Sequence, residues 1–374
     1  MTSFKAGLED VVALRSEICY IDGLKRRLVY RGYDIGEFIG KATFEEVVYL
    51  LWHGALPTQS QLAAFRQQIA DAQDLPRELV DLIRSFPRDA EPMAVLRTAV
   101  SALGVVDPDA TANDREANLR KAIRLQARIP MIIAYHARIR EGQEPVPPRP
   151  DLGLAANFLL MLRGSVPDQT EAEIFDACLI LHADHELNAS TFTARVTAST
   201  LADMHSAITA AIGALKGPLH GGANEQVMRT LMEIGDPAKV EAWLDAALES
   251  KKRIMGFGHR VYKNGDPRAD FLRRFSQTMG QKRGDTRWYE MSRRLEELML
   301  EKKGLHPNVD FYSASTYYLL GIPMDLFTPI FAFSRVSGWA AHVLEQYADN
   351  RLIRPRAEYA GPQDLHFVPL AERG

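Results

Sequence analysis

Three histidines and one aspartate stand in sequence contexts that suit chemistry. His220 sits in KGPLHGGANE, between a proline and two glycines, and His259 follows two glycines in IMGFGHRVYKNGDPR. Glycine lets the backbone approach a ligand closely and leaves a neighbouring imidazole free to face a cavity. His185 lies three residues after His182 in LHADHELNAS, beside Asp184 and Glu186; on that context alone a satisfied structural histidine is the commoner outcome. Asp310 stands between Val309 and Phe311 in PNVDFYSAS. Apolar surroundings disfavour the charged form of a carboxylate, so its pKa rises and it becomes a stronger base. The competing reading makes Asp310 the N-cap of a helix over FYSASTYYLL.

Cations gather near these groups. Arg260, Lys263 and Arg268 follow His259 within one short stretch. Arg335 lies inside FAFSRVSGWAAHVLEQY among Phe331, Phe333, Val336 and Trp339. An arginine in such surroundings must be paired or must meet an anion. Arg351, Arg354 and Arg356 follow in NRLIRPRAEY, where Arg351 and Arg356 read as a solvated basic turn. His205 and His342 read as packing residues; His53, His136, His306 and His366 have no supporting context.

The elements that must position these side chains are mostly helical. Ile18 to Tyr20 and Leu28 to Tyr30 form a small hairpin around Asp22-Gly23. Thr43 and Glu46 make a capping box, Pro57-Thr58 and Pro92 open two further helices, and Ala122 to Arg140 follows with Pro130 as a kink or a break. Glu141 to Asp151, EGQEPVPPRPD, is the clearest linker. Helical period resumes over 155–162, 171–182, 191–215, 239–251, 269–279, 288–303 and 327–347. Strands and helices do not alternate, so the expected class is all-α with a minor hairpin.

The chain has 374 residues, enough for two domains or one domain with a lobe. Its hydrophobic content of 46% and charged content of 25% suit a soluble globular protein. A net charge of −3 argues against a general nucleic-acid or membrane-surface binder. Cys19 and Cys178 form no close-spaced motif, which argues against a disulfide framework or a cysteine metal site. The segment Met1 to Val12 lacks the apolar core of a secretory signal, and the expected location is cytoplasmic.

HADHELNASTFTARV, GALKGPLHGGANE, IMGFGHRVYKNGDPRA, NVDFYSAS, LFTPIFAFSRVSGWAAHVLEQ and NRLIRPRAEYAGP together resemble the citrate synthase family, in order and near-family spacing, and IDGLKRRLVYRGYDI and PMAVLRTAVSALG extend the match toward the N-terminus. The version is similar to the short bacterial and archaeal type. The resemblance implies a two-domain, almost wholly helical fold, with 1–220 and 314–374 as the large domain and 221–313 as a small domain closing over a cleft. It implies condensation of acetyl-CoA with oxaloacetate by a catalytic trio of His220, His259 and Asp310. It places oxaloacetate against His185, Asn188, His259, Arg268, Phe331, Arg335 and Arg354, and the acyl-CoA against Arg253, Ile254, Met255, Gly256, Phe257 and Lys263. It implies a homodimer in which Arg354 is lent by the partner chain, acetyl-CoA as co-substrate, no permanently bound cofactor and no metal. Two positions depart from the family pattern: Glu91 where histidine is usual before PM, and His306 where many relatives have tyrosine before PNVDFYS.

Two rival activities remain. A 2-methylcitrate synthase would use propionyl-CoA through the same residues, and one methylene in an apolar pocket is worth only about 1–3 kcal/mol. A metal-dependent hydrolase could draw on His182, Asp184, His185 and His220, although no HExxH is present. A non-catalytic helical scaffold is a third reading, which the intact trio opposes.

Overall fold

The computed structural model describes residues 4–9 and 11–373. It opens with an antiparallel sheet of β1 (Cys19–Asp22), β2 (Arg27–Tyr30) and β3 (Tyr33–Asp34), in that order, with Cys19 opposite Tyr30 and Asp22 opposite Arg27. The hairpin is where the sequence puts it. The third strand is only two residues long, below what periodicity can reveal. Apart from one isolated bridge between Phe257 and Pro307, all else that is regular among the described residues is helical, as expected.

The first group of helices comprises α1 (Phe44–His53), α2 (Gln59–Ala72), α3 (Arg77–Ser85), α4 (Pro92–Val106), α5 (Arg115–Arg140), α6 (Leu154–Arg163), α7 (Gln169–His182), α8 (Ala189–Ser199) and α9 (Met204–Leu215). The capping box of Thr43 with Glu46 starts α1, and Pro92 is the first residue of α4. Pro130 does not break α5, because α2, α4 and α15 (Phe327–Ala348) pack along its length and bury both halves. The stretch 191–215 is two helices. Thr200 ends α8, Leu201 takes a left-handed φ of 63°, and Asp203 caps α9 by accepting from the Ser206 amide. The proline-rich segment 141–151 connects α5 to α6 within this group and is anchored there. Asn157 accepts from the Arg149 amide at 2.7 Å, and Arg84 pairs with Glu144.

A second group, α10 (Ala223–Ile234), α11 (Val240–Glu249), α12 (Pro267–Arg283), α13 (Arg287–Lys303) and α14 (Val309–Leu319), packs mainly on itself. The boundary expected at 313/314 falls inside α14, which runs unbroken across it. No described helix is long and apolar enough to cross a membrane.

The central helix is α15, buried along almost all its length against α1, α5, α7, α8 and α9. Phe333 stacks into a cluster with Phe44, Phe158 and Phe175. The Trp52 indole donates to the Ser337 carbonyl at 2.8 Å, and Ser334 donates to Leu179 of α7 at 2.5 Å. These contacts fix the register of α15, and with it the depth of Arg335.

Candidate active site

A cleft of about 390 Å³ lies where the two helix groups meet. His185, Asn188, His220, His259, Arg268, Asp310, Phe331 and Arg335 all line it, together with Ile21, Glu186, Leu187 and Arg260. A larger cavity of about 540 Å³ lies among α1, α2, α6 and α7 and contains none of these side chains. The smaller cleft holds the convergent polar groups that mark a site.

His220 sits in the turn between α9 and α10. Its Nε2 accepts from the Ser190 amide at 3.3 Å and lies 2.8 Å from the Ser190 hydroxyl. Asn188 caps α8 by accepting from the Thr191 amide, which leaves the neighbouring Ser190 N–H for the imidazole. Ser190 is further held by Trp339, whose indole N–H donates to its Oγ at 3.1 Å. Burial pushes the His220 pKa down to about 4, so the ring is neutral and its one proton resides on Nδ1. Asn188 therefore acts here as a brace for Ser190, with its side-chain amide spent within its own turn.

His259 has the opposite tautomer. Its Nδ1 accepts from the amides of Val261 at 3.0 Å and Tyr262 at 3.2 Å, so Nε2 carries the proton. Burial, and then the charge of Arg268, lower its pKa to about 4. His185 lies next to it, with ring centroids 5.2 Å apart. Burial holds its pKa well below the usual value, and its buried Nε2 has no hydrogen-bond partner among the described residues.

Asp310 is in the first turn of α14 but does not cap it. Asn308 is the cap, accepting from the Asp310 amide at 3.0 Å. The N-cap reading of Asp310 thus fails by two residues, and its carboxylate is left free of hydrogen bonds from described residues. Burial raises its pKa to about 7. Asn308 also donates to the Gly258 carbonyl, Gly258 donates to His306, and the Asn308 amide donates to Gly256. This short antiparallel ladder, with Phe257 opposite Pro307, ties the His259 loop to the start of α14. Gly256 has a φ of 85°, and a side chain there would press on Val227 and Phe311 at 2.7 and 2.9 Å. The glycine serves close packing in this ladder.

Arg335 is 1% exposed and forms no ion pair with a described carboxylate. Its Nε donates to the His182 carbonyl at 2.7 Å, and its guanidinium lies 4.7 Å from the Phe331 ring centre. Burial lowers its pKa. Arg268, also buried, forks onto Asp266 at 2.9 and 2.7 Å; despite burial, that carboxylate holds it charged. A buried, unpaired guanidinium beside a paired one makes a cationic wall suited to a carboxylate ligand.

Arg354, by contrast, is exposed and does not line the cleft of its own chain. The segment before it runs along the end of α8, where the Ile353 amide donates to Ser199. None of Arg253, Ile254, Met255, Gly256, Phe257 or Lys263 lines the cavity either. Arg253 and Lys263 are exposed, and the Phe257 ring centre lies 4.4 Å from that of Phe311. Asp184 of the hydrolase reading turns away to His342 at 3.3 Å. Among the described residues no group of three or more His, Cys, Asp or Glu side chains is placed to hold a metal ion. Of the two departures, Glu91 pairs with Lys216 at 2.7 Å, and His306 contributes its carbonyl to the ladder.

Sequence reading missed Ser190, Asp266 and Asn308, which hold the reactive groups. Asp266 and Asn308 each precede a helix in a capping position, a detectable signal, but capping alone does not announce a second bond to a functional side chain.

A family model described as "Citrate synthase, C-terminal domain" matches residues 7–356. A curated relative, "Citrate synthase 2" of Bacillus subtilis, is 55% identical over 98% of both chains. "2-methylcitrate synthase 1" of Corynebacterium glutamicum is 44% identical over 99% of this chain and 98% of its own. The solved ternary complex of carboxymethyl coenzyme A and oxaloacetate with citrate synthase from Thermoplasma acidophilum superposes with a TM-score of 0.94 at 36% identity, covering 99% of this chain and all of that one.

Proposed function

Because the chain belongs to the citrate synthase family, we propose that it condenses acetyl-CoA with oxaloacetate and hydrolyses the resulting thioester to citrate and CoA. The observation that carries this reading is the cleft itself. A carboxylate with a raised pKa shares it with two neutral imidazoles of fixed and opposite tautomer, backed by a buried arginine, and neither that carboxylate nor that arginine has an ion-pair partner among the described residues.

Asp310 takes a proton from the acetyl methyl. His220 supports the enolate by donating Nδ1–H to the thioester oxygen; a donor preset for a developing oxyanion is typically worth roughly 3–4 kcal/mol. The enolate carbon attacks the ketone of oxaloacetate, and His259 delivers the Nε2 proton to the oxygen that becomes the hydroxyl. The two amides at its Nδ1 stabilise the negative charge that the ring then acquires. Arg268 and Arg335 hold the carboxylates and present one face of the ketone, making the attack nearly unimolecular. Water finally cleaves the thioester. Residues 253–257 and Lys263, outside the cavity that holds the reactive side chains, serve the acyl-CoA, and 221–313 closes as a small domain over the bound substrates.

The acid limb of the pH profile follows from these states. Both imidazoles stay neutral above about pH 5, whereas Asp310 must ionise, so kcat/KM should rise as pH climbs through about 7. A pH–rate series checks this. A profile flat from pH 6 to 8 would show that Asp310 is not the titrating base.

The working form is a cytoplasmic homodimer in which Arg354 reaches the partner's cleft. Its exposed position outside its own cleft supports that role. An Arg354→Ala subunit combined with a His259→Ala subunit should regain part of the activity lost in each parent. Verified heterodimers without recovery would refute sharing.

Thiol release from acetyl-CoA in the presence of oxaloacetate tests the function directly. Propionyl-CoA belongs in the same assay, since relatives at 44% identity carry the 2-methylcitrate synthase name. A kcat/KM favouring acetyl-CoA is the expected result; the reverse ratio would reassign the chain to the propionyl reaction, and no thiol release from either would refute both.

A further inference from the structure

The tip of the N-terminal hairpin, far from the reactive residues in sequence, touches the backbone that holds His259. A Cβ on Gly23 would overlap the Val261 carbonyl oxygen and sit 2.9 Å from its carbon. That carbonyl shares its peptide with the Tyr262 amide and follows directly on the Val261 amide, and these two N–H groups are the donors to His259 Nδ1. Around this contact, Asn264 donates to the Leu24 carbonyl at 3.1 Å. Arg26 donates through Nε to the Gly265 carbonyl at 3.1 Å and pairs with Asp270 at 2.6 Å. Arg26 adopts a left-handed φ of 55° and Gly265 one of 102°, so the clamp is set by unusual backbone on both sides. Within the turn, Asp22 accepts from the amides of Leu24 and Lys25, which keeps the tip rigid. Ile21 of the same hairpin lines the cleft.

We propose that Gly23, Arg26 and Asn264 are positioning residues, through which the hairpin tip presses the 261–265 backbone into the geometry that fixes the tautomer and aim of the His259 imidazole. Only glycine permits the tip to lie against Val261. Any larger residue moves that peptide, tilts its N–H away from Nδ1, and frees the ring to rotate or to exchange its proton between nitrogens. The hairpin thereby belongs to the catalytic apparatus although none of these three residues need touch a substrate.

The inference rests on the proposed role of His259, and the test separates the two. Wild type, His259→Gln, Gly23→Ala and the pair Arg26→Ala/Asn264→Ala are compared in the thiol-release assay with saturating oxaloacetate. The ¹⁵N shifts of the His259 ring nitrogens are recorded on histidine-labelled full-length enzyme. Gly23→Ala should lower kcat by about 10–100-fold with little change in the KM for acetyl-CoA, the pattern of an interaction realised in the transition state. Its Nδ1 resonance should lose the shift of a deprotonated acceptor nitrogen. The Arg26/Asn264 variant leaves the turn backbone intact, so it serves if Gly23→Ala does not fold, and should fall by at least threefold with the same spectral change. Full kcat in a folded variant, with an unchanged Nδ1 resonance and an inactive His259→Gln, overturns the proposal. An active His259→Gln would instead refute the role of His259 itself.

Discussion

Asp310→Asn should lower kcat by roughly 10²–10⁴-fold, the range that a positioned general base commands, while oxaloacetate binds almost as before. Asparagine keeps the shape of the side chain and deletes only its basicity. The expectation has a second half, in stability. In the folded protein burial raises the Asp310 pKa to about 7, whereas in the unfolded chain it lies near the usual value of about 3.9. A raised carboxyl pKa means that the folded state binds the proton more tightly. Its favourable contribution is therefore full below about pH 4 and is lost as pH rises toward 7. Asp310→Asn should accordingly melt higher than the wild type at pH 8, with the gap shrinking toward pH 4. Turnover preserved within threefold would remove Asp310 from the chemistry, and loss of oxaloacetate affinity with kcat intact would make it a binding residue. Isothermal titration with oxaloacetate, steady-state kinetics and melting at two pH values distinguish these outcomes.

Arg335→Met should separate stability from function in the opposite sense to an ordinary core mutation. The guanidinium is buried, donates to the His182 carbonyl, faces the Phe331 ring, and lacks a carboxylate partner among the described residues. Replacing a desolvated charge by an apolar chain of similar length is commonly neutral or stabilising. Apo protein carrying Arg335→Met should melt at or above the wild-type temperature. Oxaloacetate affinity should fall by about 10²–10³-fold, as expected when one member of a buried, hydrogen-bonded charge pair is removed at a cost of roughly 2–5 kcal/mol. A melting temperature several degrees lower, with affinity unchanged, would make Arg335 a structural residue.

Much of this site can be read in the chain because its members are chemically out of place: an arginine among phenylalanines, histidines beside glycines, an aspartate between valine and phenylalanine. The helices of the large group are equally legible from their period and caps. What sequence hides is reciprocity. Nothing in ASTFTARV says that the Ser190 amide serves His220, because the bond joins residues thirty apart. The division of 191–215 into two helices turned on Leu201 adopting a left-handed φ, which a β-prone or helical average does not report. The linker at 141–151 is legible as a connection, but its anchoring within one helix group is not, because proline and charge describe an exposed connection equally well inside a domain or between two. For Asp310 the sequence leaves a cap reading open beside the reactive one, because capping aspartates and reactive ones precede the same kind of apolar run, and only the position of Asn308 two residues earlier decides between them.

The ladder between 256–258 and 306–308 makes His259 and Asp310, the proposed proton donor to the ketone and acceptor from the methyl, a single mechanical part. Shifting α14 shifts the loop bearing His259 with it, whereas His220 and Arg335 are anchored to α8 and α15 on the opposite bank. If 221–313 closes as proposed, an open molecule would hold two half-sets of tools, each internally aligned and neither able to act on a thioester alone. Acyl-CoA that wandered in without its ketone partner would then meet an unfinished workbench, and its energy-rich bond would be spared.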